Sequence, residues 1–171
     1  MSFNFDEVFL IMKKSFPKEE MRNYEGQRAL LNREDYFIKT HVHEGHLVGF
    51  CAYYSCHDFI YIEHLACNPE IRGLGIGTKI IQDLLSEFMN QIIILEVEPP
   101  VDETTKRRIR FYEKLGFILN PYYHFQPSLN EGMDGVELKI MSSISLTEEK
   151  QIEFRKILNK KIYNVDENLY I

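Results

Sequence analysis

The stretch Ile60-Tyr61-Ile62-Glu63-His64-Leu65-Ala66-Cys67-Asn68-Pro69-Glu70-Ile71-Arg72-Gly73-Leu74-Gly75-Ile76-Gly77-Thr78 decides how this chain is read. An apolar strand runs into a glycine-rich turn, and the turn opens a helix. Glycines let the backbone come close to a ligand and take up positive φ. The free N–H groups and positive dipole end of the new helix then make an anion site, most often for phosphate. Arg72 adds a fixed positive charge with forked donors. The dinucleotide fingerprint needs G-x-G-x-x-G, whereas these glycines stand at 73, 75 and 77. The P-loop pattern G-x-x-x-x-G-K-[ST] is not supplied by Gly77-Thr78-Lys79 either. What is present is Arg-x-x-Gly-x-Gly.

Outward from this stretch, helix-like and strand-like patterns alternate. Downstream, Ile76, Ile80, Ile81, Leu84, Leu85 and Phe88 recur at helical steps, and 92–97 is a short apolar run expected of a strand covered on both faces. Residues 103–115 read as a basic helix with Gly116 as its C-cap, and 117–119 as the start of a strand. A Pro/Asn/Gly-containing excursion at 120–135 precedes a last strand over 136–141. Ser145-Leu146-Thr147-Glu148 reads as a capping box opening a terminal helix with Phe154, Ile157, Leu158 and Ile162 inward. Upstream, Val8, Phe9, Ile11 and Met12 suggest a helix ended by Pro17, and 19–32 has rough helical spacing. Strands at 36–42 and 47–54 flank the hairpin signal Glu44-Gly45, and a third covers 59–67. The order is α/β or α+β, with a mostly antiparallel front half and one strand–helix–strand crossover.

With 171 residues, the chain has the size of one domain and can bury a sizeable core. Its 44% hydrophobic and 27% charged residues exclude wholesale disorder. A formal net charge of −6 disfavours a general role on nucleic acid or an anionic membrane. Cys51, Cys56 and Cys67 lack metal-ligand spacing and read as reduced thiols. No segment approaches a membrane span, and the first residues lack the pattern of a signal peptide, so the expected location is cytoplasmic. His41, His43 and His46 have no cysteine or carboxylate cluster to complete a metal site, and no metal is expected.

Arg72-Gly73-Leu74-Gly75-Ile76-Gly77 resembles the pyrophosphate signature of the GNAT superfamily of acetyl-CoA-dependent N-acetyltransferases. Phe111-Tyr112-Glu113-Lys114-Leu115-Gly116-Phe117 resembles that family's helix-to-strand segment, 34 residues after Gly77. The resemblance covers roughly residues 6–142. It implies a GNAT-like fold: a central mixed, mostly antiparallel twisted sheet flanked by helices, here with an extra C-terminal helix. Residues 1–144 would form the acetyltransferase domain and 145–171 a helical appendage of it. Two departures stand out. Only Met1 to Phe5 precede the first helix, where the family usually has a full strand. Thr105 stands seven residues before Tyr112, where many members carry Asn.

Carried over residue by residue, the resemblance implies that the backbone of Leu65, Ala66 and Cys67 pairs with the pantetheine arm of acetyl-CoA. Arg72, Gly73, Gly75, Ile76, Gly77 and Thr78 would wrap the pyrophosphate. Tyr112 would protonate the departing thiolate. A protonated amine has no lone pair, so some group must take its proton, and Glu63 is the leading candidate. Glu96 and Glu98 compete, because alternation points them to one face, and they would otherwise bind a cationic acceptor. Tyr24 and Tyr123 fall in the two segments that wall the family's acceptor pocket. Lys106, Arg107, Arg108 and Arg110 make a cationic helix face, either solvated or against the 3′-phosphate of CoA. The expected reaction is direct acetyl transfer from acetyl-CoA to a small primary amine in a ternary complex. The alternatives are a protein or peptide amine as acceptor, or a silent acyl-CoA-binding module. No nucleic acid or membrane partner is expected, and a homodimer is left open.

Overall fold

Asn4 opens the first helix: its side-chain oxygen accepts the Asp6 N–H at 3.0 Å, and α1 runs over Phe5–Ser15. The structure, a computed structural model, describes residues 3–71, 73–130 and 132–171. Among these, no strand precedes α1. Acidic Asp6 and Glu7 lie in its first turn and Lys13 and Lys14 in its last, complementing the helix dipole. Phe5, Val8, Ile11 and Met12 are buried, and the chain turns extended at Phe16 ahead of Pro17. The expected helical stretch at 19–32 is broken: a 3₁₀ turn over Lys18–Glu20, α2 (Tyr24–Ala29) and a second 3₁₀ turn over Leu30–Asn32.

The described residues fall into two compact units, 1–93 and 94–171. In the first, β1 (Tyr36–His43), β2 (His46–Cys56) and β3 (Phe59–Cys67) form an antiparallel meander. Glu44 and Gly45 both take positive φ, 49° and 80°, which matches the right-handed twist of the flanking strands. Residues 48–54 of β2 are buried without a break, so both of its faces are covered. α1 packs on β2 and β3, and so does α3 (Ile76–Glu87), through Ile76, Ile80, Ile81 and Leu84. Gly49 sets how close α3 comes. A Cβ there would stand 3.0 Å from Ile76 Cγ2, 3.1 Å from the Ala66 carbonyl oxygen and 3.2 Å from Ile80 Cδ1.

The second unit holds most of β4 (Ile92–Val97), then α4 (Glu103–Glu113) and β5 (Ile118–Leu119). A small hairpin of β6 (Phe125–Gln126) and β7 (Val136–Glu137) is followed by β8 (Lys139–Ser142) and α5 (Glu148–Leu158). β8 pairs antiparallel with both β4 and β5. The single strand expected over 136–141 is therefore two: Leu138 gives its N–H to the His124 carbonyl, and the chain changes partner there. The capping box expected at Ser145 is also displaced. Thr147 is the N-cap of α5 and accepts the Lys150 N–H at 3.2 Å.

Phe154, Leu158 and Ile162 are buried as expected, while Ile157 is only partly so. A polar stripe, Gln151, Arg155 and Asn159, is buried beside them. Gln151 and Arg155 donate to the Tyr123 carbonyl, Arg155 also to that of Tyr170, and Asn159 to those of Glu167 and Leu169. The terminal residues are thus bound back onto α5. No helix of the described residues is long and apolar enough to cross a membrane.

Gly49→Ala tests the β2–α3 contact. Forcing a methyl into this gap should lower stability by about 1–3 kcal/mol in urea unfolding. Unchanged stability would mean that α3 is free to move outward.

Candidate active site

Glu63 and His64 stand side by side in a β-bulge. Ala52 pairs with His64 and Tyr53 with Ile62, so Glu63 has no partner across β2. The extra residue re-aims the strand. Both side chains are 2% exposed, and Glu63 Oε2 lies 3.4 Å from His64 Nδ1 without an aligned hydrogen bond. Arg22, from the connection between α1 and α2, places Nη1 2.7 Å from Glu63 Oε1. His64 Nε2 donates to the Glu20 carbonyl at 2.9 Å, and Phe16 meets its ring edge-on at 4.7 Å. Burial pushes the Glu63 carboxyl upward, but Arg22 and His64 outweigh it and hold the group down at about 2, against an ordinary 4.5. Tyr24, at the start of α2, packs on Phe5 and Phe9 and gives its hydroxyl to Asp6 at 2.6 Å.

Beyond the bulge, the backbone of β3 turns outward at alternate residues. Asn68 N–H bonds the Val48 carbonyl at 2.9 Å, which makes Cys67–Gly49 a non-hydrogen-bonded pair. By the same alternation, Leu65–Cys51 is another, so the N–H and C=O groups of Leu65 and Cys67 point away from β2. Those of Ala66 point toward it. The following turn carries Gly73 and Gly75 at φ 81° and 63°, with open space where a Cβ would stand. Arg72 lies outside the described residues. Gly75 caps α3 with no side-chain bond, and the first intrahelical amide is that of Lys79, bonded to the Gly75 carbonyl. The N–H groups of Ile76, Gly77 and Thr78 are therefore not used within the helix. Burial pushes the Cys67 thiol up, while a hydrogen bond from the Gly77 amide pulls it down.

In the second unit, Tyr112 is on the last turn of α4, 8% exposed, its ring against Phe111 and Phe117 at 5.0 and 5.8 Å. Thr105 is spent on the helix start. Its Oγ1 accepts the Asp102 N–H at 3.1 Å, and Asp102 Oδ1 accepts the Thr105 N–H at 2.8 Å. Glu96 and Glu98 have different surroundings. Glu96 is buried, accepting from Gln126 Nε2 at 2.9 Å and Tyr163 Oη at 2.7 Å, with a close contact to His124 Nε2. Glu98 is 39% exposed and paired with Arg108 at 2.5 Å. Tyr123 is exposed, its ring under the Arg155 guanidinium.

Sequence reasoning singled out Glu63 and Glu96 but missed what holds each. Arg22 and His64 surround the first; His124, Gln126 and Tyr163 surround the second. One signal was present: two polar residues in a row, Glu63-His64, break the period of an apolar strand and mark a bulge. Nothing local ties Tyr163 to Glu96. Among the described residues, no group of three or more His, Cys, Asp or Glu side chains gathers as a metal site.

A glycine turn at an uncapped helix start, fed by a strand with an outward-turned backbone, matches a known family. The model of the GNAT acetyltransferase family matches residues 5–117, and the chain belongs to that family. A solved GNAT-family protein from Bacteroides thetaiotaomicron, named as a candidate acetyltransferase, is 34% identical, superposes with a TM-score of 0.86, and is matched over 95% of this chain and 93% of its own. The fold is thus the GNAT fold. The ribosomal-protein-S18-alanine N-acetyltransferase of Escherichia coli shares the fold at 22% identity and a TM-score of 0.61, over 84% of this chain and 90% of its own. YjbC of Bacillus subtilis (strain 168), named as a candidate acetyltransferase, is 38% identical over 112 residues, 62% of this chain and 54% of YjbC. The chain thus matches about half the length of that relative.

Glu63→Gln tests the buried pair through its pH dependence. A carboxyl held below its ordinary value stabilises the fold above about 4.5 and loses that contribution as pH falls toward about 2. Glu63→Gln should therefore lower stability at pH 7 by about 3 kcal/mol. The gap to the wild type should close as pH falls through that window, read by chemical unfolding at stepped pH. A gap that does not depend on pH would contradict the ion pair.

Proposed function

We propose that the chain is an acetyl-CoA-dependent N-acetyltransferase that passes the acetyl group directly to a primary amine of a small molecule. The carrying observation is the outward-turned backbone of Leu65 and Cys67 leading into the uncapped start of α3. Membership of the GNAT family supports the reading. In it, Leu65 and Cys67 pair with the amides of the pantetheine arm. The N–H groups of the 73–78 turn, with Arg72, hold the pyrophosphate. Two amide-rich segments in series suit a ligand that is itself amide followed by phosphate. Cys51, Cys56 and Cys67 are thiols rather than disulfides, which fits a cytoplasmic setting.

Glu63 takes the amine's proton, and the amine's lone pair attacks the thioester carbonyl. As the C–S bond breaks, the electron pair passes to sulfur, which Tyr112 protonates. Both substrates are held together, so no acyl-enzyme forms. Cys67, with its thiol pushed up by burial, is a poor nucleophile for one.

Two variants check the roles. Gly75→Glu sets a negative side chain against the pyrophosphate and should abolish acetyl-CoA binding in calorimetry, whereas Gly75→Ala shares the backbone strain without the charge and should keep most of it. Equal affinity in the two variants would contradict the phosphate site. Tyr112→Phe keeps the ring against Phe111 and Phe117. It should lower kcat by at least ~10-fold while the acetyl-CoA Kd stays within a few-fold. Wild-type turnover in Tyr112→Phe would make Tyr112 a packing residue only.

A further inference from the structure

We infer that His64 works through Glu63 as the second member of the proton acceptor: Glu63 Oε2 receives the amine's proton and hands it to His64 Nδ1. The inference rests on the transferase reading above and deepens it, by giving the proton a place to go after Glu63. Its ground is two buried atoms that one proton can join. Glu63 Oε2 and His64 Nδ1 stand 3.4 Å apart on side chains that are each 2% exposed. Neither has a hydrogen-bond partner among the described residues. His64 Nε2 lies 2.9 Å from the Glu20 carbonyl, and a carbonyl only accepts, so Nε2 carries the ring hydrogen. In the neutral ring the lone pair is then on Nδ1, beside a carboxylate oxygen. Two buried acceptors with no hydrogen between them are unfavourable, and a single added proton satisfies both.

A proton that reaches Glu63 does not stay there. Burial pushes this carboxyl up, but Arg22 and His64 hold it down at about 2. Imidazole is the side chain that takes up and returns a proton near neutral pH. As an imidazolium, His64 donates to Glu20 through Nε2 and to Glu63 through Nδ1, and the Phe16 ring keeps its place edge-on at 4.7 Å. The present gap is long for transfer, and such contacts tighten when substrate is bound. The other titratable groups that sense Glu63 are Arg22 and the phenols of Tyr36 on β1 and Tyr54 on β2. Both phenols are pushed up by burial and by the Glu63 charge, and they keep their protons at neutral pH. The step balances. The ammonium N–H breaks, and its proton goes to Oε2, to Nδ1 and, after product leaves, to water. The lone pair left on nitrogen forms the C–N bond as C–S breaks. The second proton lost by nitrogen replaces the one that Tyr112 gives to sulfur.

The test uses the full chain with acetyl-CoA, follows CoA thiol release, and takes as acceptor the fastest of a panel of polyamines, aminoglycosides and amino acids. His64→Gln keeps an amide N–H for the Glu20 carbonyl and has no group that takes a proton. It should lower kcat by ~10²-fold, the lower end of general-base effects, with the acetyl-CoA Kd within a few-fold. The fall of wild-type kcat toward acid pH should be lost as well, whereas a purely structural defect lowers kcat alike at every pH. In ¹⁵N spectra of the histidine-labelled wild type, His64 should carry its hydrogen on Nε2, and Nδ1 should gain one over the pH range in which kcat falls. Turnover in His64→Gln within ~3-fold of wild type overturns the inference and leaves the transferase reading standing. So does an acidic limb that survives the substitution, or a His64 with its hydrogen on Nδ1 and a bare Nε2. If His64→Gln fails to fold, the wild-type spectra decide alone. Acetyl-CoA binding with no release of thiol to any amine is a different failure: it overturns the transferase reading and this inference with it.

Discussion

Taking a carboxylate out of water costs several kcal/mol unless a counter-charge goes with it. At Glu63, that requirement organises much of the first unit. The bulge in β3 turns Glu63 and His64 inward together, and the pair needs a cation and a hydrogen-bond acceptor close by. Both come from one short segment, Arg22 and the Glu20 carbonyl, which is why the chain between α1 and α2 is drawn onto the strand. The same strand then carries Leu65 and Cys67 out to the glycine turn. Charge compensation and the ligand-facing backbone are thus set by one local distortion of one strand.

The second unit meets the same requirement, among the described residues, without a guanidinium on the carboxylate. Glu96 is buried on β4 and surrounded by His124, Gln126 and Tyr163, drawn from the β6 region and from the turn after α5. α5 in turn uses Gln151, Arg155 and Asn159 to bind backbone carbonyls of the 123 region and of residues 167–170. The 145–171 segment is consequently wired to Glu96 through Tyr163, although the family match ends at residue 117.

Much of this fold was legible because it rests on period and punctuation. The apolar steps of α3, the Glu44-Gly45 turn, the glycines at 73–77 and Gly116 after α4 each have a local physical cause and fall where the sequence puts them. The misreadings came where the deciding partner is distant. Residues 136–141 look like one strand, but the His124 carbonyl takes the Leu138 amide and divides it. Ser145 has the right spacing for a capping box, yet Leu146 gives its N–H to Asn120, and the helix begins two residues later at Thr147. On α5, a search for apolar residues finds one stripe and overlooks the polar stripe beside it. At the site, the residue types of Glu63 and Glu96 were readable, while Arg22, 41 positions from Glu63, was not.

Gly49 has a consequence for how such a chain can change. Its missing side chain is the space into which Ile76 and Ile80 project, and Ile76 opens the helix that follows the glycine turn. A methyl at 49 is easier to place once Ile80 has lost its Cδ1, by exchange to valine, whereas the same exchange at Ile76 keeps the Cγ2 that would stand nearest. The reverse order passes through a strained intermediate. Positions 49 and 80 are therefore coupled in their substitution history, and the favoured path is directional: the helix gives up volume before the strand gains it.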